Sequence, residues 1–98
     1  MKIIKQKKIE GCLEGANVKD IMFDNKITKE FVLHLGKMGK LIFDEELKKP
    51  FFRVIVRGKF TMKGSVSNKT IRLLLPATGD EEIIETLKNH IETFDKQN

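Results

Sequence analysis

Apolar residues recur along this chain in two rhythms. Between Phe51 and Lys63 they alternate. Phe52, Val54, Val56, Gly58, Phe60 and Met62 fall on one side of an extended backbone, and Phe51, Arg53, Ile55, Arg57, Lys59, Thr61 and Lys63 on the other. The first set is apolar and the second mainly cationic. The stretch therefore predicts a β-ribbon with one face on a core and the other in water. Gly58 admits two readings, a bulge that bends one long strand or a hairpin turn at Arg57-Gly58. The unbroken phase favours the long bent strand, although a two-residue loop also keeps parity.

Other segments share the rhythm of two. Ile71, Leu73 and Leu75 face one way and Arg72 the other, while an apolar Leu74 beside Arg72 predicts a central strand covered on both faces. Lys40–Phe43 reads as a strand, and Pro50 suits the first residue of the next one. Lys2–Leu13 alternates imperfectly and is interrupted by Gly11, as expected of an edge or bulged strand. "NVKDIMFDN" is a short strand or a packed loop that turns at Asp24-Asn25. "SVSNKT" predicts a turn around Ser67-Asn68-Lys69, with asparagine suited to positive φ.

The second rhythm is helical. Ile27, Phe31, His34, Leu35 and Met38 mark one face of a first helix, capped by Asn25 or Thr28. Gly36 weakens its interior, and Gly39 is placed to end it in the left-handed conformation. Ile83, Ile84, Leu87, Ile91 and Phe94 form the stripe of a second helix, from about Asp80 to Phe94. Thr78 and Glu81 stand at capping-box spacing. Strands in succession with two helices predict an α+β fold: a mainly antiparallel sheet of four to five strands with both helices on one face. A chain of 98 residues, without a linker or repeat, reads as a single domain over residues 1–98.

Charge sharpens this picture. The net charge is +5, and no Asp or Glu occurs between Leu47 and Gly79. That stretch carries Lys48, Lys49, Arg53, Arg57, Lys59, Lys63, Lys69 and Arg72. Afterwards Asp80, Glu81, Glu82, Glu85, Glu92 and Asp95 face only Lys88 and Lys96. A basic balance points to an anionic partner, although lysines also keep a small sheet soluble and guard its edges.

Catalytic and metal chemistry find little support. Cys12 lies among glycines and is flanked by Glu10 and Glu14, which disfavour a thiolate. His34 and His90 fall on apolar helix faces without a ligand-pair spacing, the usual setting of a histidine tucked at a core edge. "GKMGK" stands at a helix C-terminus, where the dipole repels phosphate. Asp44-Glu45-Glu46 and Asp80-Glu81-Glu82 read as a solvated turn and a helix start. These residues point away from an enzyme, and no catalytic residue, metal ligand or cofactor is assigned. A lone cysteine rules out an internal disulfide. With neither a leader-like apolar stretch nor a membrane-span window, the expectation is a cytoplasmic protein that does not engage membranes.

What remains is a small binding or interaction module. Phe51, Arg53, Arg57, Lys59, Lys63 and Arg72 are the residues expected to contact an anion or nucleic acid. Self-association as a homodimer is the first expectation, since an open face with Phe51, Ile55 and Leu74 offers a docking surface. A like-charged face resists stacking on itself, so a sheet edge or the acidic segments would then serve. Single-stranded nucleic acid is the alternative, with Phe51 as the one stacking platform in a chain with no Tyr or Trp. A small anionic metabolite is the third.

Overall fold

Six strands form one sheet in the computed structural model, which describes residues 1–9, 17–46, 48–76 and 78–96. The elements are β1 (Ile3–Ile9), β2 (Asn17–Phe23), α1 (Lys29–Gly36), β3 (Lys40–Asp44), β4 (Phe51–Val56), β5 (Phe60–Ser65), β6 (Thr70–Leu75) and α2 (Asp80–Lys96). Every pairing is antiparallel, in the spatial order β1-β2-β6-β5-β4-β3. Strands β3 to β6 form a meander, and β2 returns beside β6. Strand β1 is an edge with a register shift between Ile3 and Lys5. Readings that fall on Glu10, Gly11, Cys12, Leu13 and Glu14 lie outside the described residues.

The sheet has more strands than expected because the ribbon from Phe51 to Lys63 is two strands, not one bent strand. Val56 opposes Phe60, and the Lys59 N–H donates to the Val56 carbonyl at 2.9 Å. Gly58 takes φ +75°, a left-handed conformation that only glycine adopts without cost. The three residues between opposed Val56 and Phe60 keep parity, so the apolar phase continues through the hairpin.

Phe52, Val54, Phe60, Met62, Ile71, Leu73, Leu75, Ile21 and Phe23 are buried from the sheet, in one cluster with Phe31, Val32 and Leu35 of α1 and Ile84, Leu87 and Ile91 of α2. Full burial of each such side chain stabilises by about 1.5–3 kcal/mol before entropy. Among the described residues no such layer covers the reverse face, although Val18 on it is buried. Leu74 is central, as expected, but is 39% exposed, so β6 is covered on one face only.

Thr28 caps α1, its hydroxyl accepting from the Phe31 N–H at 3.2 Å. The helix stops at Gly36, and Gly39 does not have the left-handed conformation expected of a cap. Both glycines answer to close packing instead. A Cβ on Gly36 would lie 2.9 Å from Leu41, and one on Gly39 would strike the Ile55 carbonyl. In the turn before β6 the positive φ belongs to Ser67 rather than Asn68. Ser67 and Asn68 clasp Ile27 through two backbone hydrogen bonds of 2.9 and 2.8 Å. At α2 the Gly79 carbonyl accepts from the Ile83 N–H, so Thr78 stands one residue outside the cap position it was expected to fill. Asp80 ties this helix start to β2. It accepts from Lys19 Nζ at 3.0 Å and Asn17 Nδ2 at 3.2 Å, hydrogen bonds that hold its carboxyl below the usual range.

A histidine pair joins the helices. His34 Nε2–H donates to the His90 carbonyl at 2.7 Å, and His90 Nε2–H donates to the His34 carbonyl at 2.6 Å. A carbonyl only accepts, so both rings carry a proton on Nε2. The rings stack with centroids 4.1 Å apart, and the buried His34 Nδ1 has no partner among the described residues. Burial holds the His34 imidazole below the usual histidine range. The hydrogen bond to His90 opposes that shift, and the charges of His90 and Lys37 reinforce it.

Gly39→Ala is expected to destabilise by about 1–3 kcal/mol, read as a lower denaturant midpoint, because Ile55 backbone must give way; an unchanged midpoint would contradict the close approach. His34 contributes most above about pH 6.5, where both folded and unfolded chains leave it neutral. As pH falls below that value the unfolded chain binds the proton first, so stability should drop toward the lower folded pKa. Chemical denaturation between pH 7.5 and 5 checks this, with a flatter profile expected for His34→Phe; equal slopes for the two proteins would refute it.

Candidate functional site

The face of the sheet away from the helices is ordered by register. One line of directly opposed residues crosses it: Ile42 on β3, Arg53 on β4, Lys63 on β5, Arg72 on β6, Asp20 on β2 and Lys7 on β1. On one side of this line run Lys40, Ile55, Thr61, Leu74, Val18 and Ile9. On the other side Asp44 opposes Phe51, Phe51 opposes Ser65, Thr70 opposes Met22, and Met22 opposes Lys5. The face is thus banded, with a charged centre between two largely uncharged flanks.

Opposed side chains on adjacent strands have Cβ atoms about 4.5–5.5 Å apart, a distance at which like charges repel. Arg53, Lys63 and Arg72 form such a run. Asp20 relieves one end of it, accepting from Arg72 Nε at 2.9 Å and from Nη2 at 3.2 Å. This two-point fork also fixes the guanidinium plane. Among the described residues neither Arg53 nor Lys63 has an ion-pair partner. The positive potential of the centre therefore rests on those two, with Lys7 at the far end of the line.

The small side chains of Ser65 and Thr70 stand between Phe51 and Met22 on the second flank. A shallow depression of about 260 Å³ lies there, lined by Phe51, Lys63, Thr70, Asp20 and Arg72 among others. A second, of about 270 Å³, shares Asp20 and Thr70 and adds Lys5, Lys7 and Met22. Both open directly to solvent beside the charged line.

Of the residues singled out from the sequence, Phe51, Arg53, Lys63 and Arg72 come together here. Arg57 and Lys59 do not join them; they sit in the exposed β4–β5 turn, beyond the flank of Ile55 and Thr61. Sequence reasoning missed Lys5, Lys7 and Asp20. Asp20 alternates with Val18 and Met22, a signal that treating Asn17–Phe23 as a possible loop obscured. On the opposite side of the molecule α2 exposes Glu81, Glu82, Glu85 and Glu92, so charge is separated across the sheet.

Among the described residues no three His, Cys, Asp or Glu side chains converge to hold a metal ion, and no helix is long and apolar enough to cross a membrane. No protein-family model, curated protein or solved structure matches the chain, so the functional reading rests on this geometry.

Proposed function

We propose that the protein is a binding module that carries single-stranded nucleic acid across the open face of its sheet. The observation that supports this most is the in-register run of Arg53, Lys63 and Arg72, flanked by Phe51, Ile55 and Leu74. Lysines placed only for solubility gain nothing from being opposed to other cations, and the run costs stability. An extended polyanion offsets that cost. Its phosphates would lie along the cations, and its bases would rest on the flank of Phe51, the stacking surface, with Ile55 and Leu74 on the far side of the charged line. Arg72, oriented by Asp20, would position the strand more than attract it.

The depression beside Phe51 favours a second, narrower reading, a small anionic metabolite seated between Lys63, Thr70 and Arg72. The two readings part on ligand length. A polymer reading requires affinity to grow from mononucleotide to oligonucleotide, whereas a seated metabolite does not.

Binding of a mixed-sequence single-stranded oligonucleotide, followed by fluorescence anisotropy over a salt series, tests the proposal. The Arg53→Ala, Lys63→Ala double variant is expected to flatten the dependence of log K on log salt by about 1.4, at roughly 0.7 for each phosphate no longer neutralised. Phe51→Ala should weaken binding by about 1–3 kcal/mol at unchanged slope, the mark of weaker stacking at constant charge. No binding at low salt would overturn the proposal. A mononucleotide bound as tightly as the oligonucleotide would replace it with the metabolite reading.

A further inference from the structure

The two edges of the sheet differ. β1 has the features that keep an edge from pairing: Lys5, Lys7 and Lys8 within seven residues, and a register irregularity at Ile3/Lys5. β3 has neither. Its register against β4 is unbroken from Lys40 to Asp44, it contains no proline, and its middle residue, Ile42, is 46% exposed. Among the described residues β4 is its one strand partner. A regular, apolar-centred edge of this kind is a template for another strand.

The sequence of that edge, Lys40-Leu41-Ile42-Phe43-Asp44, complements itself when reversed. Antiparallel pairing about a twofold axis at Ile42 sets Lys40 opposite Asp44 of a second copy, and Asp44 opposite its Lys40. Leu41 and Phe43, both half-buried, would oppose each other twice, and Ile42 would meet Ile42. Both charged ends are paired within the strand only in this register: shifted two residues one way, Lys40 would face Ile42 and Asp44 would lose its partner, and shifted the other way, Asp44 would face Ile42 and Lys40 would reach Glu46 beyond the strand. We propose that the protein forms a twofold dimer by antiparallel pairing of β3 with β3 of a second copy, centred on Ile42.

This proposal stands apart from nucleic-acid binding, yet it bears on the same face. A twofold axis of this kind runs perpendicular to the sheet, so both open faces point the same way. Ile42 belongs to the central line with Arg53, Lys63 and Arg72. The lines of the two copies would meet end to end through the paired isoleucines. Arg53 of one copy would stand three strand spacings, about 14 Å, from Arg53 of the other.

Sedimentation of the full chain at about 100 μM and in a dilution series tests the dimer. Lys40→Glu alone sets carboxylates opposite Asp44 at both ends and should weaken the dimer about tenfold or more. Asp44→Lys alone should do the same with opposed lysines. The Lys40→Glu, Asp44→Lys double variant restores both pairs in exchanged order and should recover wild-type association. Ile42→Lys should leave a folded monomer, checked by circular dichroism. A wild-type monomer throughout the series would overturn the proposal. So would a dimer indifferent to these single reversals, or single reversals that the double variant fails to rescue.

Discussion

Two helices cannot cover both sides of a six-stranded sheet. At 1.5 Å per residue, α1 is about 12 Å long and α2 about 25 Å, against a sheet roughly 24 Å wide between its edge strands. They suffice for one face. Alternation along every strand then decides where each side chain goes, and the apolar set is drawn under the helices while most of its alternates face away from them. The core of Phe23, Phe31, Phe52 and Leu87 and the banded outer face are therefore two consequences of one constraint. A slip of one residue in β4 would exchange Phe52 and Val54 for Arg53 and Ile55 beneath the helices. Burying that guanidinium without a partner makes the slipped register untenable.

The glycines and the histidine pair serve the same layer. Gly39 lets the chain leave α1 against the Ile55 carbonyl, which brings β3 into position on the outside of β4. Asp80, tied to Lys19 and Asn17, fastens the start of α2 to β2 near the other edge. The reciprocal bonds of His34 and His90 close the gap between the two helices. Each contact is polar or backbone-directed, so it sets direction where apolar packing alone would leave the helices free to slide.

Periodicity made the faces legible in the sequence, but not the partners. The stripes of both helices and the apolar sides of β4, β5 and β6 could be read from spacing, because each depends on neighbours a few residues apart. Gly58 could not be resolved that way: a bend and a three-residue hairpin leave Phe60 and Met62 on the same side. The role of Gly39 was hidden because its constraint is a carbonyl far along the chain, not its local conformation. The alignment of Arg53, Lys63 and Arg72 was out of reach for the same reason. Each was visibly on the outer face, but that they stand opposite one another depends on the register of two hairpins. Arg57 and Lys59 looked equivalent to them by parity and were separated only by the turn.

Register also links the open face to the edges. Because Ile42 is aligned with the cationic run, extension of the sheet beyond β3 lengthens the charged line rather than displacing it. Extension beyond β1 would meet Lys5 and Lys7, adding cations opposite whatever arrived and an irregular ladder to pair with. The lysines of β1 thus both contribute to the electropositive face and close that side to a further strand. No comparable charge guards β3, where the exposed side chain between Lys40 and Asp44 is an isoleucine. That apolar-centred edge, in a chain so rich in lysine, is the feature on which the proposed pairing of β3 with a second copy rests.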